Sequence, residues 1–88
     1  MLKPRRSRQF KTDYKKVARA KDILKLDEII VKLCSQIKLD EKHQDHDLHY
    51  NWEGHRECHI EPNWLLVYKF EDNSIVFVRT GSHSEIFS

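Results

Sequence analysis

Glycine and proline are scarce, two of each in 88 residues. That excludes collagen-like repeats and flexible linkers, and leaves few positions where the backbone turns freely. Cysteine is as sparse: Cys34 and Cys58 sit in segments patterned for burial and cannot make the disulfide framework of a small secreted domain. No apolar run approaches the ~20 residues of a membrane helix. The basic start MLKPRRSRQF is not followed by the apolar stretch of a secretory signal. These absences lead us to expect a cytoplasmic protein with no membrane partner. What is present is 39% hydrophobic and 34% charged, the composition of one folded, very polar domain covering residues 1–88.

Net charge is only +2, but its distribution is lopsided. Residues 1–25 hold ten Lys and Arg against Asp13 and Asp22, and the remainder holds six basic residues against twelve acidic ones. A basic first quarter is the electrostatic footprint of a polyanion such as RNA or DNA, with Lys15 and Lys16 as candidates to hold phosphate. A solvated helix face that maintains solubility has the same composition.

Ser7 is a good N-cap for a segment whose apolar positions Phe10, Tyr14, Val17 and Ala18 form one narrow helical stripe. A second helix is expected from Asp22, with Ile23, Leu26, Ile30, Leu33 and Ile37 recurring every three or four residues and no Pro or Gly before Lys38. The two are expected to form an antiparallel hairpin. Residues 1–6 are a weak strand candidate because of Pro4 and three basic residues. Residues 40–54 are polar, rich in His and Asp, and without period. They read as a connecting loop of unusual length, which points to function. Strand signals follow at His55–Ile60, Trp64–Phe70 and Ile75–Arg79, the last two joined by a hairpin connection at Glu71–Ser74. The expected fold class is α+β, with helices on one face of an antiparallel meander.

Six histidines invite two explanations. His43, His46 and His49, followed by His55, Cys58 and His59, resemble zinc ligands in type, but their spacing fits no finger or HExxH pattern. The second explanation is acid–base chemistry. RNA cleavage needs one proton taken from the 2′-OH and one delivered to the departing 5′ oxygen, which suits imidazole. It also needs a cation beside the phosphorane, which suits the planar fork of Arg. Arg79 closes the last strand and His83 lies four residues on, past Gly81. As a pattern alone, such a pair is more often a surface Arg and a surface His. Trp52, Trp64 and Phe87 lie near the polar loop and strand ends, where they either stack bases or pack the core.

Taken together, five segments resemble the YafQ-type toxins of the RelE superfamily, the toxin halves of type II toxin–antitoxin operons. They are Asp45-His46 with Leu48; Trp52-x-Gly54-x-Arg56; His59-x-Glu61-Pro62-x-Trp64; Val67-Tyr68-Lys69; and Arg79-Thr80-Gly81-x-His83 with Ile86-Phe87. They cover about half the chain in the family's order. The N-terminal half matches in character, through Phe10, Asp13, Lys15 and Lys16. The resemblance implies a RelE-like fold, with an N-terminal strand and two-helix hairpin packed on a twisted antiparallel sheet. It also implies metal-independent endoribonuclease cleavage of mRNA, typically in the ribosomal A site, without a cofactor. Carried over by residue, His83 is the main general acid or base and Arg79 the phosphate clamp. His46 and His59 assist proton transfer or hold the phosphate, and Trp64 and Phe87 position the RNA. The implied partners are a cognate antitoxin, mRNA and the ribosome, with operator DNA bound only by the toxin–antitoxin complex.

Three residues depart from the pattern. Asn63 stands where the family usually has Asp, and can hydrogen-bond but not act as a base. Asp47 stands where Pro is common, and Tyr50 where Gly is common. These departures motivate an alternative in which the domain binds antitoxin or ribosome without cleaving RNA.

Overall fold

The computed structural model describes residues 1–88. A short strand, β1 (Lys3–Arg6), precedes helices α1 (Arg8–Ala20) and α2 (Ile23–Cys34). Ser7 caps α1 as its position suggests: its hydroxyl accepts from the Phe10 N–H at 2.9 Å and donates to the Val78 carbonyl at 2.7 Å. A cap of this type contributes about 1 kcal/mol, and here it also ties the helix start to the last strand. Asp22 caps α2 through the Leu24 N–H.

The α2 stripe ends earlier than its apolar pattern. Gln36 takes a left-handed conformation at φ 59°, and the Ile37 N–H turns back to the Lys32 carbonyl. Ile37 is consequently exposed rather than part of the core. The Cys34 carbonyl at this end accepts the Leu2 N–H, which anchors the chain leading into β1.

Residues 40–54, expected as plain loop, contain two 3-10 turns (Glu41–His43 and Tyr50–Trp52) around a two-residue strand, β2 (His46–Asp47). Strands β3 (Arg56–Glu61), β4 (Trp64–Glu71) and β5 (Ser74–Gly81) follow, and a five-residue helix, α3 (His83–Phe87), closes the chain. The sheet order is β1-β5-β4-β3-β2. The meander is antiparallel throughout, whereas β1 joins β5 in parallel. The intervening two helices supply the crossover that a parallel pair requires. Pro4 is accommodated because β1 is an edge strand.

Helices α1 and α2 cover one sheet face over a core that includes Phe10, Leu26, Leu33, Cys58, Leu66, Tyr68 and Phe77. Leu65 and Val67, of opposite parity on β4, pack with Ile86 of α3 on the other face, beside Trp52, Val78 and Phe87. The fold class is therefore α+β as expected, with a third helix that the sequence pattern did not signal.

Candidate active site

One residue out of register in β5 sets the site. Val67 of β4 pairs with Arg79 and Tyr68 pairs with Phe77, which leaves Val78 as a bulge. A bulge re-aims the side chains beyond it. Ile75 and Phe77 face the helices, and after the bulge Thr80 takes that side, where its hydroxyl accepts from the Trp64 indole N–H at 3.0 Å. Arg79 reaches α1, where its Nε donates to Asp13 Oδ2 at 2.7 Å.

Asp13 is a buried carboxylate in the apolar stripe of α1, between Phe10 and Val17. It also accepts from the Thr80 backbone N–H at 3.2 Å and from Gln9 Nε2 at 3.0 Å. Sequence reasoning gave this residue no role. The available signal was a carboxylate at a position that helical spacing assigns to the core, four residues after a Gln.

Arg79 and Asp13 lie in a broad groove of about 1530 Å³ between the two long helices and the β3–β4 turn. Lys16, His59, Asn63 and Glu85 line it too. Lys16 pairs with Glu85 across the groove. That ammonium and the Ser82 backbone N–H draw the Glu85 carboxyl down to about 2. Lys15, the other candidate on α1, is exposed and outside the groove.

Two further arms meet the groove. Through His59, the groove connects to His46: His59 Nε2 lies 3.6 Å and His46 Nε2 3.4 Å from the oxygens of Glu57, a buried carboxylate on β3. The Nδ1 atoms of both rings face backbone carbonyls, Pro62 for His59 and Gln44 for His46. Since a carbonyl only accepts, Nδ1 carries the proton and each Nε2 is directed at Glu57. The Glu57 carboxylate lies between the two rings and orients both. Glu57 was not singled out from sequence because it alternates with core residues on a mixed strand.

Through Asn63, the groove connects to His83, whose backbone N–H donates to Asn63 Oδ1 at 3.2 Å. His83 itself is exposed in the first turn of α3, with Phe87 one turn later at 5.0 Å between ring centroids. Phe87 in turn meets Trp52 edge-on at 5.5 Å. Ser82 and Glu85 form a capping box that fixes this short helix.

Trp64 is placed differently from its expected RNA-positioning role. Its side chain is fully buried in the main core, and its only polar atom is engaged by Thr80. It offers no open face to a base in this conformation; it supports the strand that carries Arg79.

The His46 loop is held by Arg56, which donates to Asp47 at 2.6 Å and lies 3.3 Å from Asp45 and 3.4 Å from the Tyr68 hydroxyl. Burial and the Asp45 carboxylate raise the Tyr68 phenol above its ordinary range. Asp47, one of the departures from the family pattern, thus supplies a partner that Pro could not. Cys34 and Cys58 are free and buried, and burial pushes both thiols up, which removes them as nucleophiles. No three His, Cys, Asp or Glu side chains converge as a metal-holding group, and no helix is long and apolar enough to cross a membrane.

Known proteins share this fold over most or all of the chain. The family described as the bacterial toxin of type II toxin–antitoxin systems, YafQ, matches residues 2–88. The mRNA interferase toxin YafQ of Escherichia coli strain B / BL21-DE3 is 39% identical over 83 residues, spanning 92% of this chain and 90% of that protein. Among solved structures, a copper-bound mutant toxin from Helicobacter pylori superposes with a TM-score of 0.93 at 40% identity, over 99% of this chain and all of that one. The Escherichia coli DinJ-YafQ complex matches with a TM-score of 0.90 at 36% identity, over the full length of both chains.

Proposed function

We propose, from the premise that this chain belongs to the YafQ family of type II toxin–antitoxin toxins, that its groove cleaves mRNA by acid–base chemistry around Arg79. As a member it is a toxin and an mRNA interferase, an endoribonuclease. The site reading goes further. The 2′-OH gives its proton to an imidazole, the 2′ oxygen forms a bond to phosphorus, and the bond from phosphorus to the 5′ oxygen breaks. The departing oxygen takes a proton from a second imidazole. His83 is the principal acid or base. His59 and His46, oriented by Glu57, are the complementary pair or hold the phosphate. Arg79 neutralises the charge that grows on the phosphorane. Phe87 and Asn63 flank His83, and Lys15 and Lys16 receive neighbouring phosphates.

The observation that carries this reading is the guanidinium of Arg79, 23% exposed in the groove and held at one edge, with His59 lining the same groove and His83 joined to its rim through Asn63. Metal is not required by this scheme, since both proton transfers and the charge neutralisation have side chains to perform them. The further reading is cleavage in the ribosomal A site, with a cognate antitoxin covering the groove and the pair binding operator DNA. Its support is the similar toxin solved with DinJ and the basic first quarter of the chain.

The test is induction of wild type and His83→Ala in a bacterial host, with mRNA 5′ ends mapped in both and cleavage by purified protein repeated in excess EDTA. New in-frame ends with wild type alone, and activity that survives EDTA, are expected. Growth arrest without new ends would favour a module that binds without cutting; loss of activity in EDTA would sink the metal-free scheme.

A further inference from the structure

The guanidinium of Arg79 is not held symmetrically. Its Nε edge faces α1, with Nε 2.7 Å from Asp13 Oδ2 and Nη2 3.5 Å from Asp13 Oδ1. Nη1 donates to no protein group. A guanidinium has two edges that can each match a pair of oxygens, and here one is taken by the protein while the end of the fork is left to the groove.

The carboxylate that takes that edge is itself fixed. It accepts from the Thr80 N–H, the residue next to Arg79 on the bulged strand, and from Gln9 one helical turn earlier. Donors from α1 and β5 therefore converge on one side chain that is only 10% exposed.

Stability is a weak account of an ion pair at this position. Burying a charge pair brings a desolvation penalty that its attraction often fails to exceed, and apolar replacements are commonly as stable. An apolar side chain would also continue the Phe10–Val17 stripe. A carboxylate there makes sense if the orientation of Arg79 matters.

We propose that Asp13 is the positioning residue of the cleavage site: it docks the Nε edge of Arg79 and directs the free end of the fork to the scissile phosphate. The proposal rests on the reading of Arg79 as phosphate clamp. It also explains the bulge, which brings the Thr80 N–H and the Arg79 side chain to the same carboxylate.

The experiment compares RNA cleavage by purified wild type, Asp13→Ala, Asp13→Asn and Arg79→Ala, with thermal midpoints for each. A displaced clamp costs on the order of 10²-fold in turnover, so Asp13→Ala is expected to lose about that in kcat with KM little changed. Asp13→Asn, whose amide oxygen still accepts from Nε, is expected to keep most of the activity. Free guanidinium ion is expected to restore part of the activity of Arg79→Ala and to fail with Arg79→Ala/Asp13→Ala, which lacks the dock. If Asp13→Ala does not fold, the rescue is read in Arg79→Ala/Asp13→Leu, whose apolar side chain fills the stripe. Cleavage by Asp13→Ala at the wild-type rate, or equal rescue with and without the Asp13 carboxylate, overturns the proposal while the clamp stands. Full activity of Arg79→Ala removes the clamp reading and the proposal with it.

Discussion

The His83 backbone N–H donates to the Asn63 side-chain oxygen at 3.2 Å, which joins the first turn of α3 to the turn between β3 and β4. The bond orients the residue assigned the principal proton transfer and uses nothing that distinguishes Asn from Asp. Asn63 therefore makes the bond that an Asp side-chain oxygen could also make, and lacks only the charge, which would lie beside the first turn of α3.

Asn63→Asp is expected to raise the cleavage rate several-fold, and Asn63→Ala to lower it by about fivefold, the equivalent of one bond of about 1 kcal/mol. Single-turnover cleavage of one RNA substrate by the three proteins checks this. A rate for Asn63→Ala equal to wild type would show that the bond does not position His83.

Arg56 governs the other histidine arm. Its guanidinium bridges Asp45 and Asp47, the two neighbours of His46 in sequence. Although burial opposes its charge, hydrogen bonds with Tyr68 and Asp45 raise its pKa above the ordinary value. A lysine ammonium presents no such fork. Arg56→Lys is expected to speed amide exchange at residues 44–49 and to reduce cleavage by about tenfold, while exchange in β4 and β5 is unchanged. Unaltered exchange in that loop would show that the strand pairing of His46 and Asp47 with β3 is sufficient.

The sequence is a good guide where burial is periodic and a poor one where a side chain is placed by a distant partner. The stripe Phe10–Val17 and the α2 pattern were readable because one face of each helix meets the core, and the run on β4 because both of its faces are buried. β2 was not, since two residues carry no period and are held by Arg56 and the backbone of β3. α3 is shorter than any reliable helical pattern, and a capping box of Ser82 and Glu85 without an apolar period behind it does not mark a helix. The pairing of Arg79 with Asp13 spans the chain from first helix to last strand, and depends on a bulge that no local pattern announces. Trp64 received its RNA role from the resemblance alone, while its place at the head of an apolar strand suited the core equally, and the core is where its side chain lies.

Tyr50 explains one departure from the family pattern. Its φ is 60°, in the left-handed region that glycine enters freely and other residues enter at a cost of about 1–2 kcal/mol. The side chain is 94% exposed, so it has no packing to lose. Part of the gain from glycine is offset by its more flexible unfolded chain. Tyr50→Gly is expected to stabilise the domain by up to about 1 kcal/mol, read as a higher urea midpoint at unchanged slope. A lower midpoint would mean that the ring contributes something the exposed geometry does not reveal.

Glu85 offers a pH signature for the contact between α1 and α3. Its carboxyl, ordinarily near 4.5, is lowered to about 2 by Lys16 and by the Ser82 N–H and hydroxyl. A carboxyl lowered on folding stabilises the native state above its unfolded value, and that contribution disappears as pH falls through the folded one. Gln at this position keeps the capping-box bond and removes only the charge. The stability difference between wild type and Glu85→Gln should therefore be constant from pH 7 to 5, shrink below 4.5, and vanish near 2. With the side chains of Lys16 and Glu85 73% and 42% exposed, solvent screening keeps it under about 1 kcal/mol, and raised salt should reduce it further. Urea unfolding of both proteins across this range is the measurement. Lys16→Ala should abolish most of the difference, because the lysine is the largest cause of the shift. A difference that persists undiminished to pH 2, or survives Lys16→Ala intact, would place the effect in the cap rather than in the pairing of the two helices.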